Sequence, residues 1–204
     1  MSQLTRRERE EQMRAAGRLP AGQTLTEDFP VLTYGPTPKF NPAAWTLKVF
    51  GEVERELTWS WEEFQQLPRV TQTCDIHCVT RWSKFDTVWE GVQFKHLAEL
   101  AGIKPTAQHV IAHCDYGYTT NVPLADMLRD DVLLALRFDN QPLDPEHGGP
   151  VRTLVPHLYF WKSAKWVRGL ELSATDKPGF WEVNGYHNYG DPFREERYSR
   201  RGFF

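Results

Sequence analysis

No stretch of this sequence approaches the roughly 20 consecutive apolar residues a membrane helix needs, so no membrane segment is expected. Excess positive charge is also missing. Lys and Arg number 24 against 27 Asp and Glu, a formal net charge of −3. A surface that tracks phosphates shows a basic excess, so nucleic acid is not an expected partner. Arg6 and Arg7 lie near the start, but the apolar stretch that an export signal requires does not follow them. The sequence therefore predicts a cytoplasmic protein. Cysteine is scarce: Cys74, Cys78 and Cys114 cannot all pair with one another, and a reducing cytosol leaves them as thiols. With His77 and His113 they are a conceivable zinc set, but Cys74-x-x-x-Cys78 has no matching second pair and the usual paired knuckles are absent. Internal repeats and low-complexity tracts are absent too.

What is present suits one domain. The 204 residues are 40% hydrophobic and 25% charged, ordinary globular values, and can bury a proper core. Aromatics are plentiful, with eight Trp, seven Tyr and twelve Phe; their first use is core volume, their second the walls of clefts. Residues 1–18 interleave Arg and Glu and predict a flexible charged arm, either a solvated helix or disordered, ahead of a domain spanning 19–204. Prolines 20, 30, 36, 38 and 42 make the next stretch extended. Strands are expected over 45–53, 70–78, 109–114, 118–122, 132–138, 151–155 and 165–172. A short helix should start at a Ser60/Glu63 capping box and end at Pro68, another should span 94–101 with Gly102 as its stop, and a third should follow Pro123. Strands outnumber helices without alternating strictly with them, which predicts an α+β fold with a mixed sheet.

Three segments carry chemistry. The first is Cys74-Asp75-Ile76-His77-Cys78-Val79-Thr80-Arg81-Trp82-Ser83, followed by Val88-Trp89-Glu90-Gly91-Val92. The second is His147-Gly148-Gly149-Pro150-Val151-Arg152-Thr153-Leu154-Val155-Pro156, followed by Lys162-Ser163-Ala164-Lys165-Trp166-Val167. The third is Phe180-Trp181-x-x-Asn184-Gly185-Tyr186. In this order and spacing they resemble the molybdopterin-binding domain of the sulfite oxidase family, which includes the catalytic subunit of a methionine sulfoxide reductase. The resemblance runs from about Phe29 to Tyr198. It implies a molybdenum–molybdopterin cofactor, oxygen-atom transfer on a small-molecule substrate, and a separate electron-transfer protein as partner, since no haem-attachment motif is present.

By that resemblance Cys78 is the protein thiolate on molybdenum. The chemistry agrees, because a soft sulfur donor suits a metal already held by dithiolene sulfurs. Cys74 and Cys114 read as small buried hydrophobes. His147, Arg152, Lys162, Ser163 and Lys165 resemble the clamp on the cofactor phosphate, where Arg gives a two-pronged grip. An arginine inside the apolar run Val151–Val155 needs an anion or carboxylate partner, since an unpaired buried charge is costly. Gly148 and Gly149 are expected to let the backbone approach the ligand. Leu32, Thr33, Tyr34 and Gly35 fall where the family wraps an arm over the pterin, and Asp115 falls near a cofactor contact but equally fits a turn. Trp89, Tyr118, Trp181, Tyr186 and His187 are expected in the cleft wall, with Arg81 beside the substrate or in an ion pair.

One departure bears on substrate. Sulfite oxidases carry paired arginines four and five residues after the metal cysteine, where this chain has Trp82 and Ser83. That favours reduction of a neutral S- or N-oxide, with oxidation of sulfite or a similar oxyanion as the alternative. A non-catalytic cofactor- or zinc-binding module is the reading from outside enzymes.

Overall fold

A computed structural model describes residues 4–199. In chain order the elements are α1 (Arg6–Ala15), β1 (Thr24–Leu25), β2 (Thr46–Gly51), β3 (Leu57–Ser60), α2 (Trp61–Gln65), β4 (Val70–His77), β5 (Trp82–Gln93) and α3 (Phe94–Ala101). Then follow β6 (His109–Cys114), β7 (Thr119–Pro123), α4 (Leu124–Met127), β8 (Leu133–Phe138), β9 (Gln141–Pro142), β10 (Arg152–Leu154), β11 (Val167–Ser173) and α5 (Phe180–Val183). They form two sheets. One runs β1-β5-β8-β10, with β4 also on β5 and β9 on β8; the other runs β3-β2-β11-β6-β7. β1 lies parallel to β5 and β11 parallel to β2, while the remaining pairs are antiparallel. The fold is α+β with mixed sheets, as the order of elements predicts.

The local causes are visible. Ser60 and Glu63 form the reciprocal capping box that starts α2, and Gly102 ends α3 at φ 71°. β8 is buried on both faces. Leu134 and Leu136 face the main core with β2, β6, β11 and α3, while Leu133 and Ala135 face a second cluster with Ile76, Trp89, Leu154 and Phe160. A strand with two buried faces reads as an unbroken apolar run, which is how residues 132–138 look in the sequence.

The twelve-residue β5, central to the first sheet, is not among the predicted strands. Its buried positions explain why. Ser83, Thr87 and Gly91 share the inward side with Trp89, so three of its four buried positions are polar or bare. Their hydrogen bonds are met internally: Ser83 Oγ lies 2.7 Å from His77 Nδ1, and Thr87 Oγ1 donates to the Cys74 carbonyl and accepts from Trp89 Nε1. A Cβ at Gly91 would overlap the Leu134 backbone. The alternation is real but is not hydrophobic, and a periodicity argument passes over it.

The charged arm takes the helical of its two expected forms and is less loose than expected. α1 begins at a Thr5/Glu8 capping box and is tied to the body. Glu10 Oε1 accepts from the Leu25 amide at 2.8 Å, Arg9 pairs with Glu27, and just past the helix Arg18 grips Asp75 with Nε at 2.9 Å and Nη2 at 2.7 Å. Asp86 accepts a further bond from Arg18 at 2.6 Å. Most of the helix is solvated, as the mixed charge implies, with Arg7 and Glu11 paired to each other in the open; the ties run from Arg9, Glu10 and Arg18. Residues 1–3 and 200–204 lie outside the described residues. Replacing Arg18 by Ala should cost about 1 kcal/mol, a fall in Tm of about 2–4 °C. An unchanged thermal melt would show that the arm is not held by this pairing.

Candidate active site

Cys78 sits in the four-residue turn that joins β4 to β5. Its amide donates to the Trp82 carbonyl at 2.9 Å, and its own carbonyl accepts from the Arg81 amide at 3.0 Å. Arg81 closes this turn at φ 76°. The Cys78 side chain is buried in a cluster with Val79, Tyr159 and Trp161, with Trp82, Trp181 and Tyr186 packed against it. Tyr186 stacks on Trp181 at 4.8 Å and meets Trp161 edge-on at 5.1 Å. Thr80 Oγ1 donates to Cys78 Sγ at 3.1 Å. Burial pushes the thiol up, opposed by the Thr80 hydroxyl and the Arg197 charge, so without a metal it keeps its proton at neutral pH.

A basic cluster lies beside it. Arg152 is 1% exposed, and its guanidinium donates to the carbonyls of His147 at 2.7 Å, Ser163 at 2.6 Å and Thr153 at 3.4 Å. It lies 4.1 Å above the Phe160 ring. Lys165 Nζ donates to the carbonyls of Glu146 at 2.6 Å and Leu32 at 2.8 Å. Neither cation has a carboxylate within ion-pair distance among the described residues. Burial and the Arg152 charge bring Lys165 down to about 7 from 10.5, and burial with both cations lowers His147. The His147 ring stacks on Phe29 at 3.8 Å, and its Nδ1 is buried without a hydrogen-bond partner. Three basic groups share one place, with Asp144 and Glu146 the carboxylates that act on them without forming an ion pair.

This donor set fits the group the motifs imply. A soft thiol is packed among aromatic rings, and a cation cluster held by carbonyls alone is short of an anion, as a phosphate site must be. Residues 34–181 match the family described as "Oxidoreductase molybdopterin binding domain". The chain belongs to this family. It is 47% identical to "Uncharacterized oxidoreductase YuiH" of Bacillus subtilis over 185 residues, 90% of this chain and 93% of that protein. It is 26% identical to the "Protein-methionine-sulfoxide reductase catalytic subunit MsrP" of Campylobacter jejuni, over 74% of this chain and 56% of that protein. Among solved structures the sulfane dehydrogenase SoxCD of Paracoccus pantotrophus shares the fold, with a TM-score of 0.62 and 24% identity over 68% of this chain and 40% of that one. The domain is thus that of a molybdenum cofactor-dependent oxidoreductase of the sulfite oxidase-like type. No helix among the described residues is long and apolar enough to cross a membrane.

Within this molybdopterin-binding domain the expected residues divide. Cys78 and Tyr186 stand together, and His147, Arg152 and Lys165 form the basic cluster next to them. Along the N-terminal segment the Leu32 carbonyl reaches the basic cluster by taking the Lys165 bond, while the exposed Tyr34 ring lies by the aromatics, 4.8 Å from Phe180 and 6.1 Å from Trp181. Gly35 follows at φ 87° with open space around it. Ser163 serves from behind, its carbonyl accepting from Arg152 and its hydroxyl from the Val155 amide.

Others lie elsewhere. Trp89 is fully buried in the second core cluster, under Phe29 and Phe138, and presents no surface to a cleft. Lys162 is locked in a buried pair with Glu182 at 2.7 Å and bonds Asn121 and the Asn188 carbonyl besides, so no donor is left to turn to a ligand. Tyr118 spends its hydroxyl on the Trp161 carbonyl, burial holding it far above its ordinary range. Asp115 starts a turn and stands 3.9 Å from Arg168. His187 Nδ1 accepts from the Tyr189 and Gly190 amides in the tail. The Arg81 guanidinium comes to Gly22 beside Glu195 and Arg197. Gly148 and Gly149 make room for the chain itself: a Cβ on the first, at φ 107°, would press on Lys165 and Arg152, and one on the second would overlap the Leu143 carbonyl. No cluster of three or more His, Cys, Asp or Glu among the described residues offers zinc a site.

Tyr159, Trp161, Gln23 and Arg197 are the residues that sequence reasoning missed. The run Tyr159-Phe160-Trp161 ahead of Lys162 was a usable signal; Gln23 and Arg197 lie in aperiodic segments and gave none.

The two lysines and the arginine separate experimentally. Arg152→Ala should lower bound cofactor while leaving a folded protein. Lys162→Ala leaves Glu182 buried and unpaired and should cost about 3–5 kcal/mol of stability, with the folded fraction still binding cofactor. Equal cofactor occupancy in the two folded variants would contradict this division.

A pH measurement tests the missing anion. Lys165 has a lower pKa folded than unfolded, so the unfolded chain binds the extra proton between about pH 7 and 10. The stability of cofactor-free wild type relative to Lys165→Met should therefore rise with pH across that window. The comparison cancels the Cys74 and Cys114 thiols, which burial pushes up and which act with the opposite sign. Bound cofactor should flatten the rise. A relative stability that falls with pH would contradict the burial argument.

Proposed function

We propose that this oxidoreductase reduces a small neutral S-oxide or N-oxide at a molybdenum ligated by Cys78. The observation that carries this is the character of the space around the thiol. Tyr159, Trp161, Trp181 and Tyr186 surround it, and the positions four and five after Cys78 supply no charge. Ser83 is buried and hydrogen-bonded to His77, and Trp82 packs with Phe29 and Phe160. A doubly charged oxyanion entering such a space would need opposing cations, whereas a neutral oxide is held by apolar walls and one donor. Tyr186 fits the donor: burial, Tyr198 and Cys78 all raise its hydroxyl, so it stays protonated.

The overall change is S-oxide plus two electrons and two protons to thioether and water. Molybdenum held there would supply the two-electron, oxygen-atom-transfer chemistry. The chain's part is to hold the metal through Cys78 and to anchor the cofactor phosphate with Arg152, Lys165 and His147, under a strap from Leu32 to Gly35. Its rings keep water from the substrate, and Tyr186 offers a proton to the oxide oxygen. The sulfoxide reductase among the relatives supports this direction, although the chain spans little more than half of that protein. The electrons come from a separate protein, and the three free thiols suit a reducing compartment such as the cytoplasm.

On molybdenum-containing protein with an artificial donor, kcat/KM for a neutral S-oxide should exceed that for sulfite with an artificial acceptor. Cys78→Ser should abolish turnover in a folded protein while Cys74→Ser keeps most of it. Faster sulfite oxidation would overturn the substrate assignment.

A further inference from the structure

The turn that carries Cys78 is held from outside by two side chains that the chemistry above does not use. Gln23 is 1% exposed, and its Nε2 donates to the Cys78 carbonyl at 3.0 Å. Arg197 is 5% exposed, and its Nη1 donates to the Val79 carbonyl at 2.8 Å. Its Nη2 reaches back to the Ala21 carbonyl at 3.3 Å, two residues before Gln23. The guanidinium lies 5.0 Å over the ring of Tyr159, one of the aromatics packed around Cys78. Gly22 has no side chain where Arg197, Arg81 and Glu195 converge, so the ends of the chain meet closely at this point. Gln23 and Arg197 both lie outside the span 34–181 that matches the family.

We propose that Arg197 and Gln23 are positioning residues for Cys78: from opposite ends of the chain they fix the Cys78 and Val79 carbonyls, and Arg197 sets a permanent positive charge beside the metal thiolate. The Arg197 bonds are to neutral carbonyls and the nearby Glu195 is not in an ion pair with it, so its charge acts on the turn rather than being cancelled by a contact partner. A positive charge near the metal stabilises added electrons, and partners behind a metal ligand commonly matter about 10–100-fold. Lys in place of Arg keeps the charge and loses the two-pronged grip on Val79 and Ala21. This inference rests on Cys78 being the metal ligand.

The test compares wild type, Arg197→Met, Arg197→Lys and Gln23→Leu, each produced in a host that makes the cofactor. Molybdenum content, the midpoint potential from titration of the Mo(V) paramagnetic signal, kcat, KM and Tm are measured on each. Arg197→Met should show a lower potential and a kcat reduced about tenfold or more at nearly constant KM. Arg197→Lys should restore the potential. Gln23→Leu, which removes no charge, should keep the potential and lose cofactor occupancy. Wild-type potential and kcat in molybdenum-containing Arg197→Met overturn the proposal whatever happens to Tm. Should that variant fail to take up metal, Arg197→Gln, with one donor for Val79 and no charge, must show the lowered potential, and an unchanged value overturns the proposal there. A wild-type protein whose molybdenum signal is indifferent to Cys78→Ser would instead strike the ligand assignment beneath.

Discussion

Arg152 is the point on which the rest depends. A guanidinium in the interior is tolerable only if its donors are met and its charge has somewhere to act. The carbonyls of His147, Ser163 and Thr153 meet the donors, and they come from the turn before β10, the segment after the Phe160–Lys162 turn, and β10 itself. The charge is left over. Lys165 and His147 add to the imbalance, and burial first, then the Arg152 charge, lowers their proton affinities. A bound phosphate would resolve it, and the proposed anchoring of the cofactor by this cluster rests on that imbalance.

The thiol end has the opposite character. Around Cys78 the chain provides rings, and hydrogen bonds that fix the backbone of one tight turn. The buried cations gather around Arg152, whereas the side chains packed directly against Cys78 are mostly rings, with Arg197 reaching the turn from its backbone side. Lys165 lies between the two regions, close enough for the Cys78 thiolate to favour its charged form. The Lys162–Glu182 pair is separate from both; it braces Trp161 through the bond from its indole to Glu182 at 2.8 Å, and so shapes the wall without joining the clamp.

Much of this was legible in the sequence because it is written in local patterns. The capping box of α2, the Gly102 stop and the doubly buried run of β8 each depend on neighbours within a few residues. Cys78 and the set His147, Arg152 and Lys165 were legible through motif order. What was hidden depends on distant partners. β5 buries Ser83 and Thr87 through hydrogen bonds to His77 and Cys74, which no periodicity displays. Lys162 and Lys165 differ by three positions and look alike in sequence, yet one meets Glu182 and the other meets only carbonyls. Trp89 resembled a cleft residue from its motif and is core. Gln23 and Arg197 reach Cys78 across 55 and, at Val79, 118 positions of chain, so nothing near them in sequence announces the contact.

The central claim is that Cys78 supplies a sulfur to a pterin-bound molybdenum. X-ray absorption at the molybdenum edge, which counts sulfur neighbours at bonding distance, tests it most directly on purified wild type and Cys78→Ser. The account predicts molybdenum in both, with one sulfur neighbour fewer in the variant and the dithiolene sulfurs unchanged. Equal sulfur counts in the two proteins would contradict it.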